Sequence, residues 1–359
     1  MTEHHHHVAG ADPHKLSITL AVIDALGREL DVVHATNDAA GIESMITELR
    51  TRNVVRVGVE GSAGHGLQFA TALVEAGFDV REVPARRTAQ RRRQRRRPKT
   101  DREDALAIAR ATAADDALGP ARAACRNDVV DELAVVHAWR ADLVQRRKIA
   151  LNQAEAVLAK LPIDTLDKIG RRGTTLRRLK RAATHHDDTH PVTRTRLARL
   201  AELLDDYNDL TRRIKQLDID IGRLVTKTGT TLCDEVGISF TNAAGLLIEI
   251  GDPFRFRDEA AFARWCGVAA VAVSSGEGAS QPVRHRLDLG GNRRVNSMIH
   301  TMSVTQARFH PEARDYLTRK RSEGKTAKEA RRAHKRRLAD RIIRRMWNDT
   351  RQQAQPIAA

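Results

Sequence analysis

Four acids stand where carboxylates can do phosphodiester chemistry: Asp12, Glu60, Asp101 and Asp104. Carboxylate oxygens are hard ligands suited to Mg²⁺ or Mn²⁺. Four of them brought together would repel strongly unless divalent metal were present. Such a set suits a site with two ions about 3.5–4 Å apart, clamping the attacking and leaving oxygens of a phosphodiester. Asp101 and Asp104 are three apart, and residues so spaced share a helix face. Taken singly, each acid has an ordinary explanation as a surface carboxylate or cap, and Asp101 at a helix start suits the helix dipole in any case. Their joint placement on one order of strands and helices is what favours metal.

That order is legible in the pattern of apolar residues. Residues 8–12, 16–24 and 29–35 are β-rich runs, the last two separated by a turn at Ala25-Leu26-Gly27-Arg28. Residues 39–52 carry Ile42, Met45, Ile46 and Leu49 at the helical period. A buried-type strand at 54–60, a helix at 67–76 and a strand at 79–83 follow. Beyond an arginine block at 86–99, a helix starts at Thr100, where Thr100 and Glu103 make a capping box ahead of Leu106 and Ile108. The sum is a ribonuclease-H-like order in which Asp12 ends the first strand and Glu60 the fourth, with Asp101 and Asp104 on the last helix.

The rest of the chain bounds the partners. Lys and Arg number 62 against 46 Asp and Glu, a net charge of +16 over 359 residues, with a pI near 10.5. Concentrated positive charge points to a polyanion, with nucleic acid the default. Aromatic residues are only 3%, so backbone and shape recognition are favoured over base-stacking platforms. Cys125, Cys233 and Cys266 stand far apart without a CxxC, which excludes a disulfide scaffold or zinc ribbon and fits a reducing cytoplasm. No secretory signal is visible, and no apolar run approaches the ~18 residues of a membrane span. A cytoplasmic, nucleoid-associated protein without a membrane partner is expected.

The middle reads as helical. From Leu197, a seam runs through Leu200, Leu204 and Tyr207, slips once, and resumes at Leu210, Ile214, Leu217, Ile221 and Leu224, a heptad pattern with a stammer. Residues 131–161 are its expected antiparallel partner. Beyond Gly229 come a helical stretch to Ile250, a Gly-Asp-Pro turn at 251–253, a loop-rich segment, and a basic helix at 325–345 with Leu338, Ile342 and Met346 on one stripe. Val236-Gly237-Ile238 leading into 243–250 resembles a helix-hairpin-helix element, whose amides could hold a phosphate. His4–His7 reads as a tail without a role in chemistry. His185–His190 reads as a polar loop, since it lacks the spacing of a dedicated metal site.

GADPHK around Asp12, VGVEGSAGHG around Glu60 and PKTDREDA at 98–105 resemble the motifs of DEDD-type insertion-sequence transposases. The segments VGISFTNAAGLLIEIGDPFRF, FARWCGV, SSG and GGNRRVNSMIH are similar to that family's C-terminal domain. The resemblance implies an α/β ribonuclease-H/RuvC-like N-terminal domain over 1–123, a helical coiled-coil middle over 124–228, a mainly α C-terminal transposase domain over 229–350, and a tail at 351–359. It also implies a recombinase guided by a structured bridge RNA, acting on donor and target DNA duplexes as a dimer or tetramer. Asp12, Glu60, Asp101 and Asp104 match the metal-binding acids, for Mg²⁺ or Mn²⁺ at two per active site. Two departures are visible: Ala270 stands where the family usually has proline, and the arginine block is dense.

Eight residues beyond Gly267, Ser275 matches the family's nucleophilic serine, with Ser274 as a competitor and Gly276 following. A serine in a Gly/Ser loop is otherwise most often a turn residue. His285, near in sequence, fits phosphate contact better than general-base work. The expected polyanion contacts are Arg86, Arg87, Arg91, Arg92, Arg93, Arg95, Arg96, Arg97 and Lys99 of the block, Arg284, Arg286, Arg293 and Arg294, and Arg336 and Arg337 of the last helix. The alternative function is a metal-dependent Holliday-junction-type endonuclease that activates water and leaves the serine structural. A non-catalytic nucleic-acid scaffold would explain the charge but not the four placed carboxylates.

Overall fold

Five strands build the N-terminal sheet of the computed structural model, which describes residues 6–62, 64–84, 100–114, 118–121, 128–185, 190–272, 285–287 and 291–354. Strands β1 (His7–Pro13), β2 (Ser17–Ile23), β3 (Glu29–Thr36), β4 (Val54–Val59) and β5 (Asp79–Glu82) lie in the order β3-β2-β1-β4-β5. β2 runs antiparallel to β1 and β3, while β4 and β5 continue parallel to β1. This is the mixed, ribonuclease-H-like sheet that the strand order predicts, each strand lying within two residues of its expected bounds.

Alternation assigns the two faces. Leu20 and Val22 of β2, Ala9 and Ala11 of β1, and Val57 and Val59 of β4 pack with Met45 and Leu49 of α1 (Ala39–Thr51) and Phe69 of α2 (Leu67–Glu75). Ala21 and Ile23 point the other way, onto Ala105, Leu106 and Ala109 of α3 (Asp101–Ala114). The central strand is thus covered on both faces, which explains its apolar run. His7 belongs to β1 and its Nδ1 bonds Arg52 O at 2.6 Å, so this end of the histidine run is sheet rather than tail.

Residues 1–127 and 249–359 form one compact unit, and 128–248 form a second. In the second, α4 (Asp128–Leu158) packs along α7 (Pro191–Lys227), with Arg140–Asp218 at 2.5 Å and Arg147–Thr211 at 3.4 Å giving the antiparallel register. Short helices α5 (Ile163–Ile169) and α6 (Thr175–Ala183) join them. The seam of α7 buries Leu197, Leu200, Leu203, Ile214, Leu217, Ile221 and Leu224. Leu203 takes the core position expected of Leu204, which with Tyr207 and Leu210 is only half-buried, so the stripe rotates where the heptad slips. Cys233 and its neighbours form a single 3-10 helical turn at Leu232–Asp234, not an α-helix, before Gly237 turns the chain at φ +91° into α8 (Phe240–Ile250).

The C-terminal part of the first unit contains α9 (Glu259–Trp265), a two-stranded β6 (Ala270–Ala272) and β7 (His285–Leu287), and helices α10 (Arg293–Phe309), α11 (Pro311–Ser322) and α12 (Ala327–Ala354). Leu338, Ile342 and Met346 of α12 are buried as their spacing predicts. Among the described residues, no helix is long and apolar enough to cross a membrane.

Candidate active site

The period-two alternation that puts Ala9 and Ala11 on one face of β1 sends Gly10 and Asp12 to the other, toward α3. On β4 the same rule pairs Gly58 with the following Glu60. Gly10 and Gly58 are register partners, side by side under the helix. A Cβ on Gly10 would meet the backbone of Ala105 and Ala109, and one on Gly58 would meet Thr112. The two bare positions therefore form the trough in which α3 crosses the sheet. Thr100 starts the helix, its Oγ1 accepting from Glu103 N at 3.2 Å, so the capping half of the expected box is present.

The crossing brings Asp12, at the end of β1, to Asp101, in the first turn of α3. Both face one imidazole: His14 Nε2 lies 3.5 Å from Asp12 Oδ2 and 3.5 Å from Asp101 Oδ1. One donor atom from each of the three lies within 4.8 Å of the others. Neighbouring ligands of one octahedral ion sit about 3 Å apart, so this donor set fits a divalent cation. Glu60 and Asp104 do not join that cluster. Asp104 is buried on the same helix, and Glu60 opens the turn after β4, its N–H donating to Ala11 O at 3.2 Å.

A further acid lies beside Glu60. Burial pushes the Glu82 carboxyl up to about 7, and repulsion from Glu60 adds to this, against the lowering influence of Ser62, Arg255 and Gly61. Ser62 Oγ donates to Glu82 Oε2. Sequence reasoning passed over both His14 and Glu82. For His14 a signal existed, because a histidine two residues after an acid at a strand end shares that acid's neighbourhood. For Glu82 there was none, since its environment is assembled from distant segments.

In the C-terminal part, residues 291–296 (GNRRVN) scaffold the turn before β6. Gly291 packs against the backbone of Cys266 and Gly267 where no side chain would fit. Asn292 N donates to Trp265 O at 2.7 Å, and Asn296 Nδ2 donates to Cys266 O at 2.9 Å and Gly267 O at 3.0 Å. Buried Lys335 in turn donates to Asn296 Oδ1 at 2.5 Å. Burial pushes the Cys266 thiol well above its ordinary range, so it is a packing residue and no nucleophile. Ser274, Ser275 and Gly276, between β6 and β7, lie outside the described residues, as do residues 86–99 and Arg284.

The remaining basic positions divide. Arg293 and Arg337 are exposed, Arg337 lying over the Tyr316 ring at 5.2 Å. Arg286 belongs to β7. Arg294 is exposed and paired with Glu249 at 3.0 Å. Arg336 is half-buried, donating to Glu259 O at 3.1 Å and pairing with Asp340, which commits it to holding α9 against α12.

Two family models match the chain: a DEDD transposase model of the IS110 type over residues 9–162, and the IS116/IS110/IS902 transposase family over 230–318. No curated protein matches it. Among solved structures, the T. thermophilus RuvC complex with a Holliday junction substrate is similar at 21% identity, covering 29% of this chain and 90% of that one, with a TM-score of 0.25.

Proposed function

Starting from the fact that the chain belongs to the DEDD-type insertion-sequence transposase family, a family of DNA-cutting and rejoining enzymes, we propose that it is a serine-dependent, bridge-RNA-guided recombinase. The observation that supports an acidic reaction centre most directly is the meeting of Asp12 and Asp101, from different elements, around one point. Asp12, Glu60, Asp101 and Asp104 would hold Mg²⁺ or Mn²⁺. Bound there, the ions would supply Lewis-acid stabilisation of charge on the phosphate.

The chain's own residues do the rest. Ser275 gives up its hydroxyl proton, its Oγ–phosphorus bond forms as the bond to the departing strand oxygen breaks, and that oxygen takes up a proton. The resulting phosphoserine ester conserves the energy of the broken bond, so a partner strand's hydroxyl can displace the serine without ATP. Gly276 follows Ser275 as the residue type that can take the backbone angles such an approach would need. The basic block at 86–99 and the exposed arginines neutralise phosphates without reading bases. Guide pairing would supply the target sequence. Holding two duplexes requires a dimer or tetramer, working in the cytoplasm on nucleoid DNA.

The test is adduct formation. Protein purified with its RNA, which sequencing identifies, is mixed with paired donor and target DNA. A denaturant-stable protein–DNA adduct is expected from the wild type and from Ser274→Ala, and none from Ser275→Ala. Asp12→Ala and Asp101→Ala should bind nucleic acid but cleave nothing. Metal-dependent cleavage without any adduct would instead favour the water-activating endonuclease.

A further inference from the structure

The loop between β1 and β2 carries a histidine to which the four-acid assignment gives no task. Its backbone is fixed on both sides. His14 N donates to Ser17 O at 2.8 Å, and Asn37 Nδ2 donates to His14 O at 2.7 Å while also reaching His65 O at 3.0 Å. The residue before it, Pro13, is buried and has its φ locked by its ring. Asn37 thus ties the loop bearing His14 to the loop that follows Glu60, in the segment VGVEGSAGHG.

From this pinned backbone the half-exposed ring reaches two carboxylates of different elements at equal distance, 3.5 Å each. Serving only as a counter-ion is the plain alternative. Exposed ion pairs contribute little stability, however, and that role does not require a backbone held at both its N–H and its C=O. A metal ligand does, because coordination demands that the donor be held close to its working position before the ion arrives.

We propose that His14 is a ligand of the divalent ion through Nε2, making the position between Asp12 and Asp101 a mixed nitrogen–oxygen site. This rests on the metal assignment given above and deepens it. Mg²⁺ prefers oxygen donors, whereas imidazole raises affinity for transition ions. His14 therefore tilts the site toward Mn²⁺ over Mg²⁺.

Pulsed EPR of Mn²⁺ added to the full-length protein reads the assignment directly, through the ¹⁴N coupling of a bound imidazole. Coupling is expected in the wild type and should vanish in His14→Gln, which keeps the side chain's bulk. That variant should still bind Mn²⁺, with the ratio of Mn²⁺ to Mg²⁺ affinity reduced roughly tenfold by titration. Since His14 is exposed, its melting temperature should match the wild type. Mn²⁺ bound without nitrogen coupling, or coupling that persists in His14→Gln, overturns the histidine ligand and leaves the carboxylate site standing. No Mn²⁺ binding by the wild type, or equal binding by Asp12→Ala, overturns the metal assignment and the ligand with it.

Discussion

Gly10→Ala should separate the fold from the chemistry. An ideal Cβ on Gly10 would meet Ala109 N first, then Ala105 O at 2.5 Å and Ala109 Cα at 2.7 Å, all backbone atoms of α3. Ordinary contact begins at 3.4 Å, so relieving the Ala105 O contact alone moves the helix by about 1 Å (3.4 less 2.5 Å), and the closer Ala109 N demands at least that. A backbone cannot swing aside as a flexible side chain does. Adding a methyl group to so tight a contact typically costs about 1–3 kcal/mol, which a folded unit of this size survives with a lowered melting temperature. The chemistry is less tolerant, because Asp101 rides on the helix and Asp12 on the strand. Misplacing reacting groups by about 1 Å can cost roughly 100-fold in rate. Single-turnover strand cleavage at saturating Mn²⁺, alongside a thermal melt, measures both. At Gly58 the nearest obstacle is the Thr112 side chain, so Thr112→Ala should partly rescue Gly58→Ala and leave Gly10→Ala unaided. A Gly10→Ala protein with wild-type rate and melting temperature would refute the idea that the glycine trough positions the acids.

Three further outcomes are open to measurement. Glu82, with its pKa raised from 4.5 to about 7, keeps its proton in the folded state where the unfolded chain has lost it; its stabilising contribution is complete below pH 4.5 and is lost as pH rises through 7. Urea unfolding should therefore find Glu82→Gln more stable than wild type above pH 7, by up to about 3 kcal/mol, with no such gap at pH 4.5. His334 runs the opposite way: burial, with Arg337 and Arg341, holds its imidazole down at about 4, so its contribution is present above pH 6.5 and lost as pH falls toward 4. His334→Gln, which can keep a bond to Ser303, should lose up to about 3 kcal/mol less than wild type over that range in the same assay. Replacing Arg91, Arg92 and Arg93 by Ala should flatten the fall of log affinity with log salt by about 0.9 per lost duplex phosphate contact, and an unchanged slope would mean the block does not touch DNA.

What could be read in advance follows the range of the interactions involved. Strand bounds came through because apolar runs and turn residues are local, as at the Ala25–Arg28 turn. Leu203 rather than Leu204 takes the core position because a heptad slip is resolved by the partner helix, whose own pattern is weak. Helical spacing places Asp101 and Asp104 on the first turn of one helix, where Asp101 is exposed beside His14 and Asp104 is buried, a difference that spacing alone does not carry. The trough was within reach: a glycine inside a strand marks close backbone approach, and both GADP and VGV carry one. Glu82 was out of reach, because its surroundings, Glu60, Ser62 and Arg255, come from separate parts of the chain, as does the Pro120 carbonyl that Arg255 meets.

Arg255 shows how distant segments become one unit. Its guanidinium lies 4.8 Å from the centroids of both Phe256 and Trp265, its Nη1 donates to Pro120 O at 3.2 Å, and its charge lowers the pKa of Glu82. Trp265 Cδ1 in turn sits 3.6 Å from where a Cβ on Gly119 would be. One side chain thus joins the segment around Trp265 with the sheet edge that bears Glu82, although residues 128–248, which form the other compact unit, lie between them in the sequence. Charge alone would not achieve this. A lysine could face Glu82, but it has no planar surface to lie on two aromatic rings while a fixed N–H meets a carbonyl. Nor could the arginine be moved to the Glu60 side without changing the chemistry, because a permanent cation there would compete with any ion the acids are meant to hold. Placed beside Glu82, it secures the scaffold and leaves Asp12 and Asp101 to the proposed metal site.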